Sequence, residues 1–243
     1  MMTRQEQTNG LSFLGLSQEG ESHRKSGKPN QDAVEFFTLE GAFLVAVSDG
    51  LGSCALSHIG SQSAMIICKQ VLLEILDERL PFAPESISRR LAELWTDQFS
   101  KVVSKEYSTT LKAVFGYRNE LVTISIGDGL LVVLSGDEVL TALDIGNGFV
   151  NETVCLSHGM KPKTFWSGKI AKRNGLLVFL STDGISSGIT EGREVEFVKQ
   201  IAGMKRVGKL KNSLERMLTE ISKYNADDKT VGIVRFEQQR TED

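Results

Sequence analysis

The sequence predicts an α+β fold in which amphipathic helices cover antiparallel sheets, and three observations predict it. Short apolar runs recur, each bounded by Gly, Asn or Asp. Long helical stripes stand in pairs apart from those runs rather than alternating with them, which argues against a parallel sheet. No repeat period or Pro- or Ser-rich linker divides the chain, and its four prolines sit singly.

Residues 1–10 are polar without periodicity and are expected to form a flexible tail before a single domain at 11–237, with a second tail at 238–243. Apolar runs at 11–17, 33–39 and 42–47 read as strands. From Ala64, the positions Ile67, Cys68, Val71, Leu72, Ile75 and Leu76 form one stripe of 3.6-residue period and predict a helix. A second helix follows Pro84, with Ile87, Leu91, Leu94, Trp95, Phe99 and Val102 on one face, so Trp95 is expected in the core. Runs at 110–117, 121–126, 130–135 and 139–143, joined by short polar turns, read as a meander. Strands at 164–171 and 176–180 come next. Two helical patterns follow, the second striped by Leu210, Leu214, Met217, Leu218 and Ile221, and a last strand runs over 230–236.

Composition narrows the function. With 243 residues, 28 Lys plus Arg against 31 Asp plus Glu and a net charge of −3, the chain has no basic excess with which to bind a phosphate backbone. Its 40% hydrophobic and 24% charged residues are those of an ordinary globular domain, long enough to build a core without staples. Cys54, Cys68 and Cys155 are odd in number and contain no CxxC pair, which points to a reducing, cytoplasmic setting. The polar start and the lack of an apolar run near 18 residues predict neither secretion nor membrane spanning.

Acidic residues mark strand ends. AFLVAVSDG ends at Asp49, LVTISIGDG at Asp128 and LLVFLSTDG at Asp183, each before Gly. A strand resumes directly after Asp128, as a hairpin turn requires. Asp49 and Asp183 instead lead into a loop and a helix. Asp32 opens an early strand, and Asp227-Asp228 opens the last. Carboxylates brought together at such ends cannot all stay ionised unaided, and a hard divalent cation resolves the conflict. With three scattered histidines, zinc lacks its usual ligands.

Taken in order, NQDA, AVSDGLGS, GDG, STDGI and DDKTVGIVRF resemble the type-2C (PPM-type) metal-dependent serine/threonine protein phosphatases, in their bacterial-like single-domain form, over residues 12–236. The resemblance implies a four-layer α-β-β-α sandwich with two Mg²⁺ or Mn²⁺ ions at one end of the paired sheets. It also implies direct hydrolysis of phosphoserine or phosphothreonine by a metal-activated water, without a phosphoenzyme. The partner would be a phosphorylated protein, the substrate of a cognate kinase, with no role for nucleic acid or membrane. Asp49 would bridge both ions, the Gly50 carbonyl would bind one, and Asp183 and Asp227 would complete the other. Asp227 is preferred to Asp228, which stands where the family usually has Asn. Asp32 would act largely through metal-bound water, and Asp128 matches the position linked to a third ion.

Two departures from the family pattern stand out. Gln31 replaces the usual Glu before Asp32, and Gly27 occupies the place of an Arg that holds the substrate phosphate. His23, Arg24, Lys25 and Lys28 lie nearby; Arg24 has the fork geometry suited to phosphate, and a merely solvated basic loop is the other reading. The family places a mobile flap at residues 144–162, which here contain Gly146, Gly148 and His158; His158 is a candidate proton donor, and an ordinary surface loop is the alternative. Lys205, Arg206, Lys209 and Lys211 read as a solvated helix start.

Competing classes fare less well. GLGSCA after a strand fits a dinucleotide fingerprint, but a second helix follows where a parallel strand is required, and GK[ST] is absent. Cys54 lies in no phosphate-cradling motif. A non-catalytic relative that binds phosphorylated proteins in a metal-dependent way remains the second reading, motivated by Gln31 and Gly27.

Overall fold

The computed structural model describes residues 1–8, 10–102, 104–143, 154–157, 159–173, 175–204 and 206–236. Gly146, Gly148, His158, Lys205 and the tail at 238–243 lie outside the described residues.

Two antiparallel sheets pack face to face. The six-stranded sheet contains β1 (Met2–Thr8), β2 (Leu11–Gln18), β11 (Lys229–Phe236), β10 (Leu176–Ser181), β7 (Leu130–Ser135) and β8 (Glu138–Leu143), in that spatial order. The five-stranded sheet runs β3 (Asp32–Leu39), β4 (Ala42–Asp49), β5 (Leu111–Tyr117), β6 (Glu120–Ile126) and β9 (Trp166–Ala171). Phe13, Phe36, Phe43, Val45, Val114, Leu131, Val133 and Val178 interdigitate between the sheets, with Phe13 and Phe36 stacked at 4.5 Å between ring centroids.

Helices close both outer faces. α2 (Ser57–Leu76) and α3 (Pro84–Gln98) bury Ile67, Val71, Leu72, Leu91 and Trp95 against Leu44, Ala113 and Ile124 of the five-stranded sheet. α5 (Glu194–Gly203) and α6 (Val207–Ile221) bury Val198, Ile201, Leu210, Leu214 and Leu218 against the other. Helix, sheet, sheet and helix therefore stack as four layers, the expected α+β sandwich. Two short helices, α1 (Glu21–Ser26) and α4 (Asp183–Ser186), lie at the sheet ends that carry the acids.

The sequence reading needs four corrections. Residues Met2–Thr8 are not a frayed tail: they pair with β2 along their whole length, and the Arg4 guanidinium donates to the Glu35 carboxylate and to the Phe36 carbonyl of the facing sheet. An edge strand with both faces largely wet has no apolar alternation to read. The meander is also two separate hairpins. β5–β6 belong to one sheet and β7–β8 to the other, so Gly127-Asp128-Gly129 crosses between sheets instead of turning back. α2 starts seven residues before Ala64, through the small buried residues Ser57, Gly60, Ser61 and Ser63, which an apolar stripe does not register. Finally, α2 is long and apolar enough by length and composition to cross a bilayer, although most of that surface is spent on the core.

Candidate metal centre

The strand ends bring the acids together. Asp32 opens β3 directly opposite Asp49, which ends β4, and both inner-face side chains point into the mouth of the sandwich. Asp183 follows β10 and starts α4; Asp128 sits on the crossing from β6 to β7. One carboxylate oxygen each from Asp49, Asp128 and Asp183 lies within 4.8 Å of the others. Asp32 lies beside Asp49 across the β3–β4 pair, and its charge acts on Asp49.

Backbone packing makes this convergence possible. A Cβ at Gly184 would come within 1.8 Å of the Asp228 carbonyl oxygen, so the turn bearing Asp183 lies directly on the turn bearing Asp227 and Asp228. Gly129 has φ +95°, and its Cβ would meet the Ser181 carbonyl at 2.5 Å; this seats the Asp128 crossing against the end of β10. Hydroxyl groups fix the rest. Thr182 Oγ1 donates to Asp32 Oδ2 at 2.8 Å. Thr109 Oγ1 donates to the Asp49 carbonyl at 2.6 Å, and the Asp49 amide donates to Thr110 Oγ1 at 3.1 Å.

Burial and crowding set the electrostatics of these carboxylates. Burial, reinforced by the Asp228 charge, pushes the Asp32 carboxyl up to about 8. Asp49 is raised well above the usual carboxylate range, by burial first and then by Asp32 and Asp183. Asp183 is raised by burial and by the Asp128 and Asp227 charges, with its hydrogen bond to Asp49 opposing. Asp32 Oδ1, Asp183 Oδ1 and Gln31 Oε1 are buried and find no hydrogen-bond partner among the described residues. Buried oxygens without donors, on crowded carboxylates, fit a hard divalent cation: the donor set is all oxygen, as Mg²⁺ and Mn²⁺ require.

The closing acids divide their roles. Asp227 is exposed beside Asp183. Asp228 is buried and accepts from the Gly20 amide on Oδ1 and from the Gln31 amide on Oδ2, both at 2.6 Å, while His23 Nδ1 lies 2.8 Å from Oδ2. Atoms of His23, Asp227 and Asp228 form a second group within 4.8 Å. His23 is thus buried and engaged by Asp228, whereas Arg24 and Lys28 are exposed, Lys28 Nζ reaching the Gly52 carbonyl at 3.4 Å. His23, Arg24 and Lys25 lie in the helix α1 rather than in a loop, and Lys28 follows its end. Asp228's part as a structural hub was not anticipated, since nothing in the pair Asp227-Asp228 says which carboxylate turns inward.

Comparisons with known proteins bear on family and fold. A family model described as Protein phosphatase 2C matches residues 19–219. No curated protein matches the sequence. Among solved structures, RsbX in complex with magnesium is 17% identical with a TM-score of 0.70, covering 97% of this chain and 100% of that one. The catalytic domain of the serine/threonine protein phosphatase PstP in complex with two manganese ions is 18% identical with a TM-score of 0.70, covering 94% and 99%. The Mycobacterium tuberculosis phosphatase PstP/Ppp is 19% identical with a TM-score of 0.67, covering 94% and 99%. At these identities the likeness is one of fold.

Proposed function

Because this chain belongs to the protein phosphatase 2C family, we propose that it is a metal-dependent serine/threonine protein phosphatase, acting on a phosphorylated protein substrate of a cognate kinase. The observation that carries this reading is the meeting of Asp49, Asp128 and Asp183 within 4.8 Å at the mouth of the sandwich. Asp49, Asp183 and Asp227, with the Gly50 carbonyl, are the residues we assign to hold two Mg²⁺ or Mn²⁺ ions; Asp32 stands behind Asp49, and Asp128 belongs to a third position. Bound divalent ions of this kind supply Lewis acidity, lowering the pKa of water and offsetting phosphoryl charge.

The chain's own groups do the remainder. Thr182 holds the Asp32 carboxylate, and Thr109 and Thr110 hold the main chain of Asp49, before any ligand arrives. Arg24 and Lys28 stand exposed at the rim, where they can orient phosphate, and His23 holds the α1 segment to Asp228. Water attacks phosphorus directly, with no phosphoenzyme. Cys68 is buried with its thiol pKa raised by burial, and Cys54 is buried with no basic partner among the described residues, so neither serves as nucleophile. The three free cysteines also support a reducing, cytoplasmic site of action in signalling.

A specific observation favours a second reading, a relative that binds phosphoproteins without turning them over. Gln31 is buried at the site with an unpartnered Oε1, where the family usually places a charged Glu. Hydrolysis of a phosphothreonine peptide by purified protein, with Mn²⁺ or Mg²⁺ added and then chelated, separates the two. Metal-dependent phosphate release that disappears in Asp49→Ala supports the phosphatase. Folded protein without turnover under any divalent ion supports the binding module.

A further inference from the structure

Two lysines are almost wholly buried, each about 1% exposed: Lys112 on β5 and Lys229 at the start of β11. Burying an ammonium costs several kcal/mol unless hydrogen bonds and charges compensate, and lysine is among the residues least often found inside. Neither position is forced by the sheet. Lys112 lies opposite Val47 on one side and Ser125 on the other, on the inner face that Val45, Val47, Val114 and Leu121 line. Both ammonium groups direct donors to the main chain of acid-bearing turns. Lys112 Nζ donates to Ser125 Oγ at 2.7 Å and to the carbonyl of Gly127, the residue before Asp128, at 2.6 Å. Lys229 Nζ donates to the Asp227 carbonyl at 2.6 Å and to that of Asn225 at 2.8 Å.

The parallel is chemical as well as geometric. Gly127 has φ +81° and Gly129 φ +95°, left-handed steps that glycine makes readily, and Lys112 holds the carbonyl of the first. Asp227 is exposed in the bend before β11, where Lys229 holds its carbonyl. In each turn a lysine approaching from behind fixes a carbonyl inward and places a cation on the protein side of the carboxylates. We propose that Lys112 and Lys229 are positioning residues of the acidic site: Lys112 sets the turn that presents Asp128, and Lys229 the turn that presents Asp227. This rests on the reading of those acids as cation ligands.

The test measures Mn²⁺ binding to the full chain by electron paramagnetic resonance of free Mn²⁺, so it does not depend on turnover. Lys112→Met and Lys229→Met keep the aliphatic stem and remove the donor. Each is expected to weaken Mn²⁺ binding by about 10- to 100-fold, the loss typical when a group that orients a metal ligand is removed. Lys112→Met should affect the component that Asp128→Asn affects, Lys229→Met the component that Asp227→Asn affects, and each double variant should fall short of the sum of its singles. Folded variants with unchanged Mn²⁺ isotherms overturn the proposal while leaving the phosphatase reading intact. Wild-type protein that binds no Mn²⁺ overturns the ligand reading itself, and this proposal with it. Because the lysines serve separate turns, one folded variant suffices to decide; failure of both to fold overturns the proposal in favour of a purely architectural role.

Discussion

Asp32 and Asp49 face each other across the β3–β4 pair, the first residue of one strand directly opposite the last of the other. Burial raises both carboxyls, the Asp228 charge adding to it for Asp32 and the Asp32 and Asp183 charges adding to it for Asp49. The sign of the pH dependence follows. An Asp whose folded pKa lies above its unfolded value costs nothing while both states are protonated; the cost grows as pH rises past the unfolded value, near 4, and is complete above the folded one, about 8 for Asp32. Chelated protein should therefore lose thermal stability between pH 5 and 8, roughly the window between these values. Added Mn²⁺ should restore more stability at the upper end of that window. At about 100 times Kd the gain is about 2.7 kcal/mol, or about 5 to 10 °C in Tm. Thermal melts across this range with and without chelator check it, and a flat metal-free profile would count against the convergence of these acids.

Asp49→Asn should act in opposite directions on activity and stability. It removes the carboxylate that crowds both Asp32 and Asp183, so chelated variant protein should melt higher than chelated wild type. Hydrolysis should fall by at least about 100-fold, and the Mn²⁺-induced Tm shift should vanish. A variant that melts lower without metal would mean that Asp49 holds the fold together rather than straining it.

The adjacent acids Asp227 and Asp228 should separate cleanly. Asp228→Ala strands two amides and His23 in the interior and is expected to cost about 3 kcal/mol, a Tm loss of about 6 to 12 °C. Asp227→Ala, on the surface, should change stability by roughly 0.5 kcal/mol or less yet reduce metal-dependent turnover. Paired calorimetry and phosphate-release assays read both, and equal Tm losses would refute the division of roles.

Gly184→Ala tests the close approach of the turns. Its methyl would overlap the Asp228 carbonyl, a backbone atom with nowhere to go, so destabilisation beyond about 3 kcal/mol is expected. Urea unfolding measures it, and a loss under about 1 kcal/mol would show that the two turns are not in contact.

How much of this was legible in the sequence depends on how local the cause was. The stripes of α3 and α6 carry a 3.6-residue period and β4, β7 and β10 are continuous apolar runs, signals contained within a few residues, although Val102, on the α3 stripe by spacing, lies beyond that helix and is exposed. The five strand-end acids were visible too, since each follows or opens an apolar run. The crossing at Asp128 was not: the sequence around a turn between sheets is the same as around a hairpin, and only pairing partners more than 40 residues away, β10 for β7 and β9 for β6, decide it. β1 escaped because its pairing buys little burial, and the six residues of α1 are too few to show a stripe. Lys112 could have been noticed as a charge inside the run TLKAVF, whereas its target, the Gly127 carbonyl, could not.

The acidic residues do not all come from one sheet. Asp32 and Asp49 end strands of the five-stranded sheet, Asp183 and Asp227 flank strands of the six-stranded one, and Asp128 lies on the strap between them. A cation seated among them would thus be a rivet through two plates that otherwise meet through packed apolar side chains and a few polar contacts such as Thr182 with Asp32 and Arg4 with Glu35. Filling the site should slow hydrogen exchange together at the ends of β4 and β10, strands that share no backbone hydrogen bond. Emptying it should let the mouth of the sandwich breathe while the far end stays shut, so that the molecule's stiffness becomes a readout of the divalent ions around it.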